Sequence, residues 1–171
     1  MMKTNSDNIK YSKRRILPAA LITAAVLLVL DQWTKAMAAE KLKGGAFVLI
    51  PGVFELRYTE NHGAAFSMLE NQYVLLVVLT AAILAVIVYF EITLPCDRAS
   101  AHLRILAAVL AAGALGNLID RVRFHYVRDF LYFRLIDFPI FNVADICVTV
   151  SAVLIVIRIL ITDSPKENGE Q

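Results

Sequence analysis

Metal-ligand spacing is missing from this sequence. Its three histidines, His62, His102 and His125, are scattered and form no zinc-type set. No H-E-x-x-H pair occurs, so a metallopeptidase helix of that kind is excluded. No G-x-S-x-G elbow occurs either; Ser67 and His62 are near neighbours, but a turn position after Asn61 accounts for His62. Neither a metal nor a cofactor is therefore expected. Cysteine is scarce as well: the pair, Cys96 and Cys147, falls toward opposite membrane sides in the topology below, so a disulfide between them is not expected. Charged residues make up 19% of the chain and the net charge is +2, which argues against a nucleic-acid partner. No internal repeat is present.

What the sequence has in abundance is apolar surface. Of its 171 residues, 58% are hydrophobic. A membrane span needs about 20 mostly apolar residues, and four segments come close: 16–39, 73–90, 103–119 and 143–161. The expectation is one membrane domain over 1–171, mainly α, with a disordered N-terminal leader at 1–10 and a polar, disordered tail at 162–171. The first run reads as a retained span, not a cleaved leader, because "DQWTK" puts charge between the apolar core and the small residues after it. Lys10, Lys13, Arg14 and Arg15 precede that span and place the N-terminus in the cytoplasm; an even number of spans returns the C-terminus there.

Two loops then lie outside, about 40–72 and 121–141. In the first, "AFVLIPGVFELRY" has two β-rich runs around Pro51-Gly52 and predicts a small hairpin or sheet. The stretch "NHGAAFSMLENQ" follows as a glycine-containing turn and a short apolar segment feeding span 2. The second loop, rich in aromatics and arginines, suits a segment lying at headgroup level.

Alternating helix direction gathers the polar residues at one membrane face. Asn142, Asp145 and Thr149 form one stripe on span 4, and Gly113, Asn117 and Asp120 another on span 3. Asp31 and Lys35 are four apart on span 1, while Asn61 and Asn71 precede span 2. Ala112 and Gly116 are spaced for close helix approach. Each acid has a plain reading. Asp31 marks where span 1 meets headgroups, with Lys35 as partner. Asp120 pairs with Arg121 at a helix end. Asp137, before Phe138-Pro139, serves a turn. Asp129 pairs with the adjacent Arg128 at the surface. Asp145 resists this treatment: no cation lies within a helical turn of it, and although Asn142 can cap the helix, capping leaves Asp145 unexplained.

Two carboxylates brought together suggest one chemistry. Like charges a few Å apart cannot both ionise easily, so they share a proton. The ionised member takes a proton from water, the protonated one polarises a carbonyl, and a gem-diol collapses with a proton delivered to the leaving nitrogen. The alternative is a transporter or channel subunit whose buried acids bind a cation or proton.

The motifs "DQWTK", "NHGAAFS", "AGALGNLIDR", "VRDF" and "FNVADICV", in that order, resemble those of the lipoprotein signal peptidases, the type II bacterial signal peptidases. The resemblance implies an aspartic endopeptidase of the bacterial inner membrane. Such an enzyme cleaves diacylglyceryl-modified prolipoproteins just before the lipidated cysteine, near the periplasmic face. It implies a four-helix membrane bundle with a small outer β-sheet cradle and a short interfacial helix. The catalytic pair falls on Asp129 and Asp145. Asn61, Gly63, Asn117, Arg121 and Asn142 fall at positions that line or support the site, and Asp31 and Asp120 match structural acids. Partners implied are the prolipoprotein, membrane lipid and the cyclic peptide inhibitor globomycin.

Overall fold

The computed structural model describes residues 5–63, 69, 72–94 and 100–162, with side chains described only within 16–161. Ser67, Asn71 and Cys96 lie outside the described residues, as do most of the apolar segment feeding span 2, part of the inner loop and the tail. Four long helices carry the chain: α1 (Asn5–Lys41), α2 (Tyr73–Thr93), α3 (Ala101–Phe124) and α4 (Val143–Thr162). Each contains a stretch long and apolar enough to cross a membrane. Helix α1 extends over part of the leader expected to be disordered, and it tolerates Pro18 in its interior.

Composition decides which helix sits in the middle. Leu, Ile and Val dominate the outward faces of α1, α2 and α4, where they remain exposed for lipid. Helix α3 instead buries Ala107, Ala108, Ala112, Gly113, Ala114 and Gly116, and α1, α2 and α4 all pack against it. Small residues let backbones approach where lipid offers no hydrophobic drive for association. A Cβ on Gly113 would lie 2.5 Å from the Ala144 carbonyl oxygen, and one on Gly116 would strike the Asp31 carboxylate. The expected close-approach site is thus real, and it joins α3 to both α1 and α4.

The expected hairpin is present, as part of a three-stranded antiparallel sheet ordered β1 (Phe47–Ile50), β2 (Phe54–Asn61), β3 (Val127–Phe133). Gly52 takes a left-handed φ of 72° in the turn, which suits glycine. The third strand comes from the loop read as lying at headgroup level. It pairs with β2 from end to end, Phe54 opposite Phe133, Thr59 opposite Asp129 and Asn61 opposite Val127. Among the described residues, the only short helical element after β3 is a 3-10 turn at Arg134–Ile136, with Leu135 and Ile136 exposed. Strand β3 follows α3 directly: His125 closes α3 in the left-handed region, and its N–H bonds the Arg121 carbonyl at 2.9 Å. That short reversal carries Asp129 back over the ends of α3 and α4.

Candidate active site

Asp129 sits in mid-strand on β3 and Asp145 in the first turn of α4, and both line one cavity of about 790 Å³. A single residue ties them together. Asn142, buried just before α4, donates from Nδ2 to Asp129 Oδ1 at 2.6 Å. Its Oδ1 accepts the Asp145 N–H at 2.9 Å, while its own N–H donates to Asp145 Oδ2 at 3.1 Å. The last two bonds form a reciprocal capping box at the start of α4. Capping therefore does account for one oxygen of Asp145, contrary to the sequence expectation. The other oxygen, Oδ1, accepts from Asn117 Nδ2 at 2.8 Å.

The three asparagines repeat one device. An amide can point either end at a carboxylate, so something must fix its orientation. Asn61 Oδ1 accepts the Gly63 N–H at 2.9 Å, leaving Nδ2 to donate to Asp129 Oδ2 at 2.9 Å. Asn142 Oδ1 is held by the Asp145 N–H, leaving Nδ2 for Asp129. Asn117 Oδ1 accepts Lys35 Nζ at 2.8 Å, leaving Nδ2 for Asp145. Each amide has its oxygen on a group that can only donate and its nitrogen on one of the two acids. Burial, and after it the negative charge of Asp145, push the Asp129 carboxyl up from its ordinary value to about 7; the amide donors Asn61 and Asn142 oppose that rise.

Beneath this layer lies a buried ion network. Asp120 receives Arg128 Nη2 at 2.7 Å, Arg128 Nε at 3.0 Å and the Arg128 N–H at 3.0 Å. Asp31 takes Lys35 Nζ at 2.9 Å on Oδ2 and the Ala144 N–H at 2.9 Å on Oδ1. Gln32 Nε2 reaches Asp31, Asp120 and the Gly116 carbonyl, and its Oε1 accepts from Arg128. One set of side chains thus pins α1, α3, β3 and the N-terminus of α4 to one another.

Three sequence readings are corrected here. Asp120 pairs with Arg128 and not with its neighbour Arg121. Asp129 is no surface partner of Arg128, because successive strand residues point to opposite faces and only one of them turns to the cavity. Asp31 does pair with Lys35, yet both are buried and Asp31 accepts the second N–H of α4, so Asp31 does not mark a headgroup boundary. Arg121 instead reaches across to the Gly63 carbonyl at 2.9 Å, closing the turn after β2 against α3. Asp137 has the turn role expected of it: it is left-handed at φ 47° and accepts the Tyr132 hydroxyl at 2.6 Å.

All nine singled-out residues fall at this end of the bundle. The cavity reaches Asp129, Asp145, Asn61, Gly63, Asn117 and Arg121, while Asp31 and Asp120 lie in the layer below and Asn142 joins the two acids. Sequence reasoning underrated Gln32 and Arg128. No local signal marks Arg128: its partner Asp120 lies on α3 and comes beside it only through the reversal at His125. His62 also reaches the cavity, its ring tilted against that of Tyr126 with centroids 5.5 Å apart.

Comparison with known proteins agrees with this geometry. The family model described as signal peptidase (SPase) II matches residues 23–161. The lipoprotein signal peptidase of Caldanaerobacter subterraneus is 43% identical over 138 residues, covering 80% of this chain and 92% of that protein. The Enterococcus faecalis lipoprotein signal peptidase is 34% identical over 157 residues, covering 91% and 96%. A solved bacterial membrane enzyme superposes with a TM-score of 0.81 at 34% identity, covering 90% of this chain and 94% of that one; a second gives 0.73 at 33%, covering 86% and 95%. A match over most of the chain, in sequence and in fold alike, places this protein in the signal peptidase II family.

Proposed function

We propose that this chain removes signal peptides from lipid-modified prolipoproteins, with Asp129 and Asp145 as the catalytic pair. The observation that carries the assignment is the Asn142 bridge, which fixes both carboxyls in one cavity through bonds of 2.6, 2.9 and 3.1 Å. With its carboxyl raised to about 7, Asp129 is half protonated at neutral pH, so both of its charge states are at hand for the pair. The ionised member draws a proton from water as that water attacks the scissile carbonyl. The protonated member donates to the carbonyl oxygen. The gem-diol then collapses, and a proton goes to the leaving nitrogen. Asn61, Asn117 and Asn142 hold the acids in place; Gly63 and Arg121 shape the cavity mouth; Asp31 and Asp120 anchor the helices beneath.

Position supports the substrate. The basic cluster Lys10, Lys13, Arg14 and Arg15 favours cytoplasmic termini in a bacterial inner membrane, which sets the sheet and the site at the periplasmic side. A diacylglyceryl cysteine keeps its chains in lipid and presents its peptide bond near the headgroups, level with the ends of the spans. The polar floor and apolar rim of the cavity, with Phe138, Pro139, Ile140 and Ile146, suit a peptide bond beside lipid, and also a cyclic peptide inhibitor of the globomycin type. The test is cleavage of a diacylglyceryl-modified prolipoprotein by the full chain in lipid vesicles. The wild type releases the signal peptide, while Asp129→Asn and Asp145→Asn, folded as judged by thermal unfolding, do not. Normal turnover by either variant would remove that residue from the pair.

A further inference from the structure

We infer that Lys35 is a positioning residue for the reaction: its ammonium fixes the Asn117 amide so that the amide presents N–H, and not oxygen, to Asp145. This rests on the catalytic role of Asp145 proposed above. Lys35 lies on α1, and its side chain is fully buried. Its nitrogen touches Asp31 Oδ2 at 2.9 Å and Asn117 Oδ1 at 2.8 Å, with Asp120 Oδ2 further off at 3.9 Å. Asp31 alone would satisfy the charge. The contact with Asn117 is therefore surplus to pairing and needs its own account.

Ammonium donates and never accepts, so only the amide oxygen can face it. Asn142 Nδ2 adds a second donor to the same oxygen at 3.2 Å. The Asn117 nitrogen is left pointing at Asp145 Oδ1. The other two asparagines take their orientation from peptide N–H groups that belong to their own turns. Asn117 sits inside α3, where backbone N–H groups are consumed by the helix, so a side chain from another helix does the same work. Remove the ammonium and the main reason for one amide orientation goes. The flipped amide would aim oxygen at a carboxylate oxygen, which requires a proton between them and takes that proton away from the catalytic cycle.

Lys35→Met in the full chain, reconstituted in lipid vesicles with lipid-modified prolipoprotein, tests this. Expected is a fall in kcat of about tenfold with KM within about twofold, since substrate contacts stay in place. The alkaline limb of the pH profile moves to higher pH, because the Lys35 charge holds the Asp129 carboxyl down. In an Asn117→Ala background, Lys35→Met costs no more than about twofold further, because the residue through which it acts is gone. A full loss persisting in that background, or an unchanged kcat in the single variant, would overturn the inference.

Burying Asp31 without its cation endangers folding. The neutral pair Asp31→Asn with Lys35→Met removes that strain, and its kcat is compared with that of Asp31→Asn alone. A gap of about tenfold supports positioning by Lys35; equal rates contradict it. Failure of the underlying reading looks different: Asp145→Asn would then retain turnover, whatever Lys35→Met does.

Discussion

The two ends of the bundle bury charge in different ways. At the end away from the sheet, Arg104 is buried on α3 and locks onto α2: it donates to the Glu91 carboxylate at 3.0 Å, to the Glu91 carbonyl at 2.8 Å and to the Leu94 carbonyl. That arrangement satisfies the last carbonyls of a helix and fastens two elements. At the sheet end the acids Asp31, Asp120, Asp129 and Asp145 converge from α1, α3, β3 and α4. Two of them, Asp31 and Asp120, are matched by Lys35 and Arg128. The other two meet neutral amides. A cation beside an acid fixes its charge state, whereas an amide holds its position and leaves the proton free to move. The comparison separates acids that hold the structure from acids available for chemistry, although Asp129 is as deeply buried as Asp31 and Asp120 and only Asp145 is partly exposed.

Changes that exploit this contrast are graded in size. Asn142→Ala removes the donor to Asp129 and the cap of α4 together. Turnover should drop by about 10²-fold or more, measured as initial cleavage rate in vesicles. Arg104→Met, at the far end, should cost stability of about 1–3 kcal/mol, because Glu91 loses its partner, yet leave kcat within about twofold. Loss of catalysis there without loss of stability would erase the distinction between the ends. Gly116→Ala drives a methyl at the Asp31 carboxylate and should cost about 1–3 kcal/mol in thermal unfolding, with α1 and α3 forced apart. Arg134→Ala breaks an ion pair with Glu55 of 2.6 Å whose arginine is 59% exposed, and should cost no more than about 1 kcal/mol.

Much of this contrast is legible in the sequence, for reasons that can be named. Helical spacing puts Asp31 with Lys35 and Asn142 with Asp145, since those pairs depend only on the pitch of one helix. Pro51-Gly52 marks the hairpin, because a turn is local. What does not emerge is pairing across elements. Asp120 has Arg121 beside it in sequence and Arg128 beside it in space, and only the reversal at His125 chooses between them. The third strand is hidden for a similar reason: its apolar and aromatic residues suit lipid headgroups as well as they suit β2. Arg104 gives no local sign of its role either, since its partners lie across the 91–102 loop.

Protonation links the contrast to pH. The folded chain holds the Asp129 proton up to about pH 7, while an unfolded aspartate releases it near about 4. The folded state therefore binds more protons in that window. This acid's contribution to stability is full below about pH 4, falls as pH rises toward 7, and is then level. Asp129→Asn should flatten that part of the curve of melting temperature against pH.

The most direct measurement is the infrared titration of the Asp129 carboxyl in the wild type and in Asp145→Asn. A protonated-carboxyl band that is absent from Asp129→Asn should vanish in the wild type with a midpoint of about 7, and in Asp145→Asn the midpoint should fall, because the neighbouring negative charge is gone. A wild-type midpoint in the ordinary carboxylate range, or one that Asp145→Asn leaves in place, would contradict a pair of acids working on one proton.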